Sequence, residues 1–114
     1  MTLLGATEIR ELAAKLDLNP SKGLGQNFVI DGNVCQRIVR QVSLTPSDVA
    51  LEIGPGLGSL TLAILETGVS LIAVEIDARL AKQLPETVAI HNPDADLLVI
   101  NQDALNLTEL SKPP

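Results

Sequence analysis

The 114-residue chain carries eight Lys/Arg against fourteen Asp/Glu, and it is 46% hydrophobic with 19% charged residues, the composition of one small folded domain, or part of one. It contains no run of the roughly 18 apolar residues that a membrane span requires and no basic-then-apolar leader, so a cytoplasmic location is expected. One cysteine and one histidine exclude an internal disulfide and a His/Cys metal centre, and no metal is expected.

Along the chain, Thr7 is placed to cap a helix whose first turn is acidic (Glu8, Glu11) and whose Ile9, Leu12, Ala13 and Leu16 follow the helical period. Asn19-Pro20 stops it. Ser21 to Asp31 has no sustained period and holds two glycines, so it reads as a loop in which Gln26 and Asn27 are polar groups able to reach a ligand. Asp31 then caps a helix over 32–42, with Val34, Cys35, Ile38, Val39 and Val42 as its apolar face and Gln36, Arg37, Arg40 and Gln41 opposite. Cys35 is expected as a small core side chain. Thr45-Pro46 turns the chain into the first strand.

Val49-Ala-Leu-Glu-Ile53 alternates as that strand and breaks at Gly54-Pro55-Gly56-Leu57-Gly58, after which Leu60, Ala63, Ile64 and Leu65 resume with helical spacing over 59–66. Glycine is required where the backbone takes positive φ or must approach a ligand closely. Gly68 ends that helix, and a second strand runs from Val69 to Glu75. Asp77 caps a helix over 78–84, with Pro85 either kinking it or starting a further piece to Ile90. His91-Asn-Pro-Asp94 reads as a polar loop with His91 exposed. Leu97-Leu-Val-Ile100 is a fully apolar third strand of the kind covered on both faces, and it is followed by Asn101-Gln-Asp-Ala104. Thr108 to Pro114 is linker-like.

Three strands separated by helices fit a βαβαβ unit with a ligand laid across the carboxyl ends of the strands, where acidic groups collect. Dinucleotide binders place a third small residue at the slot that Ser59 fills here, whereas this chain has Gly54-x-Gly56-x-Gly58. Glu75 stands 21 residues beyond Gly54, where a carboxylate can accept from ribose hydroxyls of any adenosine-containing ligand. A strand-to-helix turn without a ligand also fits this stretch alone. Residues 1–48 carry five basic and five acidic side chains and 49–114 carry three and nine, so the net charge of −6 lies in the second part. Phosphates of an RNA partner would therefore meet Arg10, Lys15, Lys22, Arg37 or Arg40, or sequence outside this chain. With Phe28 the sole aromatic, base stacking within the chain is nearly excluded.

The glycine pattern with Glu52 before it resembles the motif of S-adenosylmethionine-dependent methyltransferases. Taken with Lys22-x-x-Gly25-Gln26-Asn27-Phe28, Glu52-Ile-Gly-Pro-Gly-Leu-Gly-Ser-Leu-Thr61, Val74-Glu-Ile-Asp77 and Gln102-Asp103-Ala104, the order of motifs is similar to that of the ribosomal RNA adenine dimethyltransferases. Within these, it is nearer the bacterial small-subunit group than the macrolide-resistance group. The resemblance runs from about Leu4 to Leu107. It implies an α/β, Rossmann-like S-adenosylmethionine-dependent methyltransferase fold, of which this chain is the N-terminal half with three parallel strands and flanking helices. In the doubly wound order of such folds the first strand is central, between the second strand and a fourth. Residues 1–48 would form a helical segment with a cofactor-closing loop, and 49–114 the start of the Rossmann-like domain.

What the resemblance implies for function is dimethylation of the N6 amino groups of two adjacent adenosines near the 3′ end of small-subunit rRNA, on the small ribosomal subunit, in ribosome biogenesis. For the cofactor, S-adenosylmethionine, it implies that Gly54, Gly56 and Gly58 admit the methionine part and that Glu75 takes the ribose hydroxyls. Ile76 would pack on the adenine and Asp103 accept from its amino group with Ala104 alongside, while Gln26, Asn27 and the backbone at Val29 close the site. Carboxylates such as Glu52 suit a ligand that carries a sulfonium and an ammonium. The family's catalytic Asn-Leu-Pro-Tyr/Phe box has no counterpart, since Asn106-Leu-Thr108 follows the third strand directly and lacks proline and aromatic. No catalytic residue is therefore assigned, and the box is expected beyond Pro114. Two alternatives stay open: a non-catalytic cofactor-binding or ribosome-assembly module, and a nicotinamide-dependent oxidoreductase half-domain, the latter disfavoured by Ser59.

Overall fold

The computed structural model describes residues 2–18 and 32–103. In chain order these form α1 (Ala6–Lys15), α2 (Gly32–Arg40), β1 (Val49–Ile53), α3 (Ser59–Leu65), β2 (Ser70–Val74), α4 (Ala78–His91) and β3 (Asp96–Ile100). The strands are parallel in the order β1-β2-β3, which is the expected βαβαβ path. Within the described sheet β2 is central and β1 lies at an edge, with Val49, Leu51 and Ile53 aligned on Ser70, Ile72 and Val74.

Because parallel partners in register share a face, the residues sort into two sides of the sheet. One side presents Ala50, Leu71 and Leu97, then Glu52, Ala73 and Val99. This side carries the core: Leu71 and Ala73 lie in one cluster with Leu62 and Leu65 of α3, Leu80, Leu84 and Val88 of α4, and Ile9 and Ala13 of α1. A smaller cluster joins Cys35 and Val39 of α2 to Ala63 of α3. The other side is apolar and open at Val49, Leu51, Ile53 and Leu98. The uninterrupted apolar run of Leu97–Ile100 suggested cover on both faces, but among the described residues the outer side of β3 is open at Leu98.

Several boundaries differ from those expected. α1 begins at Ala6 with Gly5 as its N-cap and no side-chain cap bond, so Thr7 sits inside the first turn. Leu4, buried in the main core, immediately precedes the cap, so the chain enters the helix two residues ahead of the entry expected from Thr7. α2 stops at Arg40 and is followed by Ser43 at φ 56°. Only Cys35 and Val39 of its apolar face are buried, while Val34, Ile38 and Val42 are exposed. Asp77 caps α4 as expected, accepting from the backbone N–H of Arg79 and Leu80. The helix then runs through Pro85 to His91 without a break. Pro85 falls on the solvent side, where water can meet the carbonyl that its missing N–H leaves unpaired.

His91 is the clearest correction. It is not an exposed loop residue but the buried last residue of α4. Its Nε2 lies 2.7 Å from the Glu8 carboxylate of α1 and its Nδ1 bonds the Thr2 hydroxyl, while the Thr2 N–H donates to the His91 carbonyl at 3.0 Å. Polar neighbours in sequence made it look solvent-facing, and partners from the start of the chain draw it inward.

Candidate functional site

The chain crosses from β1 to α3 through three glycines with positive φ: Gly54 at 68°, Gly56 at 60° and Gly58 at 107°. Side chains rarely adopt this backbone region. At Gly58 space adds to conformation, because a Cβ there would stand 2.8 Å from Leu84 Cδ1 of α4. The turn is tied to the sheet by Gly54 N–H, which donates to the Val74 carbonyl at 2.8 Å. Its geometry is therefore set by β2 on one side and α4 on the other.

Glu75 follows β2 immediately and is buried. One carboxylate oxygen accepts from the Gly56 N–H at 3.2 Å and the other from the Asp77 N–H at 2.9 Å. Its own N–H donates to the Ile100 carbonyl at 2.9 Å. Asn101, just past β3, donates through Nδ2 to the carbonyls of Glu75 at 2.8 Å and Ile76 at 3.2 Å. The glycine turn, the end of β2 and the end of β3 are in this way fastened to one another around a single carboxylate. Each oxygen of a carboxylate can accept more than one hydrogen bond, so this group retains capacity for a further donor.

Glu52 stands on the core side of β1, two residues before the turn, and is buried. Thr61 of α3 donates to it at 2.6 Å. Burial, with a further contribution from the Glu75 charge, pushes its carboxyl up to about 7 against the downward pull of the Thr61 bond. Two carboxylates thus face this end of the sheet, one held by backbone amides and one held close to neutral. Gln102, beyond β3, has a fully buried Oε1 with no hydrogen-bond partner, a costly arrangement that a donor from outside would relieve.

Of the positions singled out by sequence, Gly54, Gly56, Gly58 and Glu75 are brought together, with Gly56 and Glu75 in direct contact. Ile76 is exposed beside them and Asp103, half-buried, follows β3 at the carboxyl ends of the strands. Gln26, Asn27, Val29 and Ala104 lie outside the described residues. Sequence reading missed Thr61, Asn101 and the Gln102 carbonyl. The polar run after a wholly apolar strand was a usable signal for the last two, while nothing local marks Thr61, whose role appears only once α3 packs on β1. Among the described residues there is no grouping of three His, Cys, Asp or Glu suited to a metal ion, and no helix is long and apolar enough to cross a membrane.

Comparison with known proteins gives a consistent picture. A family model described as ribosomal RNA adenine dimethylase matches residues 18–112. A ribosomal RNA small subunit methyltransferase A from Bifidobacterium longum subsp. infantis is 54% identical over 113 residues, covering 97% of this chain and 37% of that protein. Among solved structures, the 23S rRNA methyltransferase ErmE superposes with a TM-score of 0.60 at 35% identity over 75% of this chain and 32% of its own. A dimethyladenosine transferase from Plasmodium falciparum gives 0.58 at 27% identity, over 67% of this chain and 27% of its own. The chain spans well under half the length of these relatives.

Proposed function

The chain belongs to the ribosomal RNA adenine dimethylase family and has its Rossmann-like methyltransferase fold, and on that premise we propose that it is the cofactor-binding part of a small-subunit rRNA adenine N6-dimethyltransferase. The whole protein would act in the cytoplasm on two adjacent adenosines near the 3′ end of small-subunit rRNA, in ribosome biogenesis. S-adenosylmethionine, when bound, supplies the methyl group.

The observation that carries this proposal is the buried Glu75 carboxylate, held by the Gly56 and Asp77 amides against a turn of positive-φ glycines. The donor and acceptor chemistry fits. S-adenosylmethionine offers two ribose hydroxyls, an adenine amino group, an ammonium and a sulfonium, and the residues that follow β2 and β3 carry carboxylates at Glu75 and Asp103, with the Glu52 carboxyl, held near neutral, on the core side of β1. A pyrophosphate would meet like charge at the same place. Glu75 is assigned the ribose hydroxyls, Ile76 the adenine face, and Asp103 the adenine amino group with Ala104 beside it. Gln26, Asn27 and Val29 are assigned the closing side, contributed by the helical segment 1–48. Methyl transfer to an exocyclic amine requires an extruded, positioned base more than a strong base catalyst, and none of residues 1–114 is assigned that part.

Incubation of unmethylated small ribosomal subunits with labelled S-adenosylmethionine tests the proposal. No transfer is expected from residues 1–114 alone, and transfer is expected from the full gene product. Label moved by residues 1–114 would place catalytic groups among them, and a well-folded full product that binds cofactor without transferring label would favour the non-catalytic ribosome-assembly reading. Preference for NADH over S-adenosylmethionine would favour the oxidoreductase.

A further inference from the structure

A line of polar contacts runs from the end of α1 to the glycine turn. Arg79, in the first turn of α4, donates through Nη1 to the carbonyls of Leu16 at 2.8 Å and Asp17 at 3.4 Å, where the chain leaves α1 with Asp17 at φ 56°. Through Nε and Nη2 it forks onto the Asp77 carboxylate at 3.3 and 2.9 Å. Asp77 in turn accepts from the backbone N–H of Arg79 at 2.8 Å and Leu80 at 3.4 Å. The N–H of Asp77 donates to Glu75 Oε2, and Gly56 N–H donates to Glu75 Oε1.

The side chain of Arg79 is 51% exposed and that of Asp77 29%, so as an ion pair alone they contribute little to stability. Geometry gives the pair its use. Only a planar fork can serve a carboxylate on one edge and main-chain carbonyls on the other at the same time. The Arg79 hydrogen bond, first among several, holds the Asp77 carboxyl below the usual carboxylate range, so the fork faces a full negative charge at neutral pH.

We infer that Arg79 is a positioning residue for the nucleoside part of the ligand: by pinning Asp77 to the end of α1, it fixes the Asp77 N–H that orients the Glu75 carboxylate toward a vicinal diol. The inference rests on Glu75 being the ribose acceptor. A glutamate has three side-chain torsions, and accepting from two neighbouring hydroxyls at once requires its oxygens in one orientation. Two amides supply that orientation, one from a turn locked by glycine and the other from a residue whose position depends on Arg79.

The test uses the full gene product and calorimetry with two ligands, S-adenosylhomocysteine and its 2′,3′-dideoxy counterpart. Wild type should prefer the diol. Arg79→Gln should weaken the diol ligand about tenfold, the scale of a charge-assisted hydrogen bond, and leave the dideoxy ligand unchanged, with Arg79→Lys recovering part of the loss. Should Arg79→Gln fail to fold, Asp77→Asn, which retains a capping side chain and its own N–H, should show the same ligand-selective loss. A variant that weakens both ligands equally, or neither, while wild type prefers the diol, overturns this inference alone. Wild type that binds both ligands equally, or neither, overturns the Glu75 assignment and this inference with it.

Discussion

Along β1 the usual partition of side chains is inverted. The side facing the helices holds a carboxylate, Glu52, and the side facing outward holds Val49, Leu51 and Ile53. β2 and β3 do not share the inversion: they carry apolar residues on both sides, with Leu71 at 1% exposure on the helix side, and on the other Leu98 at 55% beside a buried Val74. Leu71 and Ala73 are buried where helices cover the sheet, and the buried acid on that side, Glu52, lies toward the carboxyl ends of the strands. A buried acid is tolerated because Thr61 bonds it and because it need not be charged. Among the described residues the open side is apolar at Val49, Leu51, Ile53 and Leu98, with Ser70 and Asp96 at its far end.

The contrast can be broken most strongly from the covered side. Leu71→Ala should cost about 2–5 kcal/mol, the range for emptying a filled core site, and urea unfolding gives the value directly. Next in size is the pH dependence of Glu52. Its folded carboxyl titrates at about 7 against 4.5 unfolded, so between those values the folded chain holds a proton that the unfolded chain has lost. Stability contributed by this group therefore falls as pH rises through that window, by about 3 kcal/mol in all. Glu52→Gln should erase that slope, making the variant more stable than wild type above pH 7 and nearly equal to it below 4.5; parallel profiles for the two proteins would mean that Glu52 is ionised in the fold.

Glu75→Ala sharpens the comparison at the carboxyl ends of the strands. Its loss should weaken S-adenosylmethionine by about 1.5–3 kcal/mol, as for hydrogen bonds involving a charged group, and unchanged affinity in calorimetry would remove Glu75 from the site. The smallest effect belongs to the open side. Leu51→Ala, at a residue 55% exposed, should move the stability of residues 1–114 by no more than about 0.5 kcal/mol, and a core-sized loss would show the outer face to be packed in solution.

Much of this was legible in the residues. Alternation and helical spacing placed the three strands and the helices among the described residues, and the three glycines marked the turn that Gly56 ties to Glu75, because these signals are local. Alternation reveals that a strand has two sides but not which one a helix covers, so Glu52 inside and Leu51 outside could not be read. Proline inside α4 was ambiguous because its cost depends on whether it faces water, a property of packing. His91 was misplaced because its partners, Glu8 and Thr2, are 83 and 89 residues away. Arg79 escaped notice for the same reason, since its carbonyl partners lie 63 and 62 residues back.

The contact between α1 and the end of α4 has a consequence for the order in which the molecule is made. α1 leaves the ribosome before the other described helices, yet His91, which Glu8 bonds, and Leu84 and Val88, which share a core cluster with Ile9 and Ala13, belong to the last described helix to be translated. Synthesis adds about 5–20 residues per second, so α1 waits several seconds with Ile9 and Ala13 unburied. Closure over so long a separation adds little stability of its own until the intervening strands are formed. During translation the apolar stripe of this helix therefore stays open at least until α4 has been made.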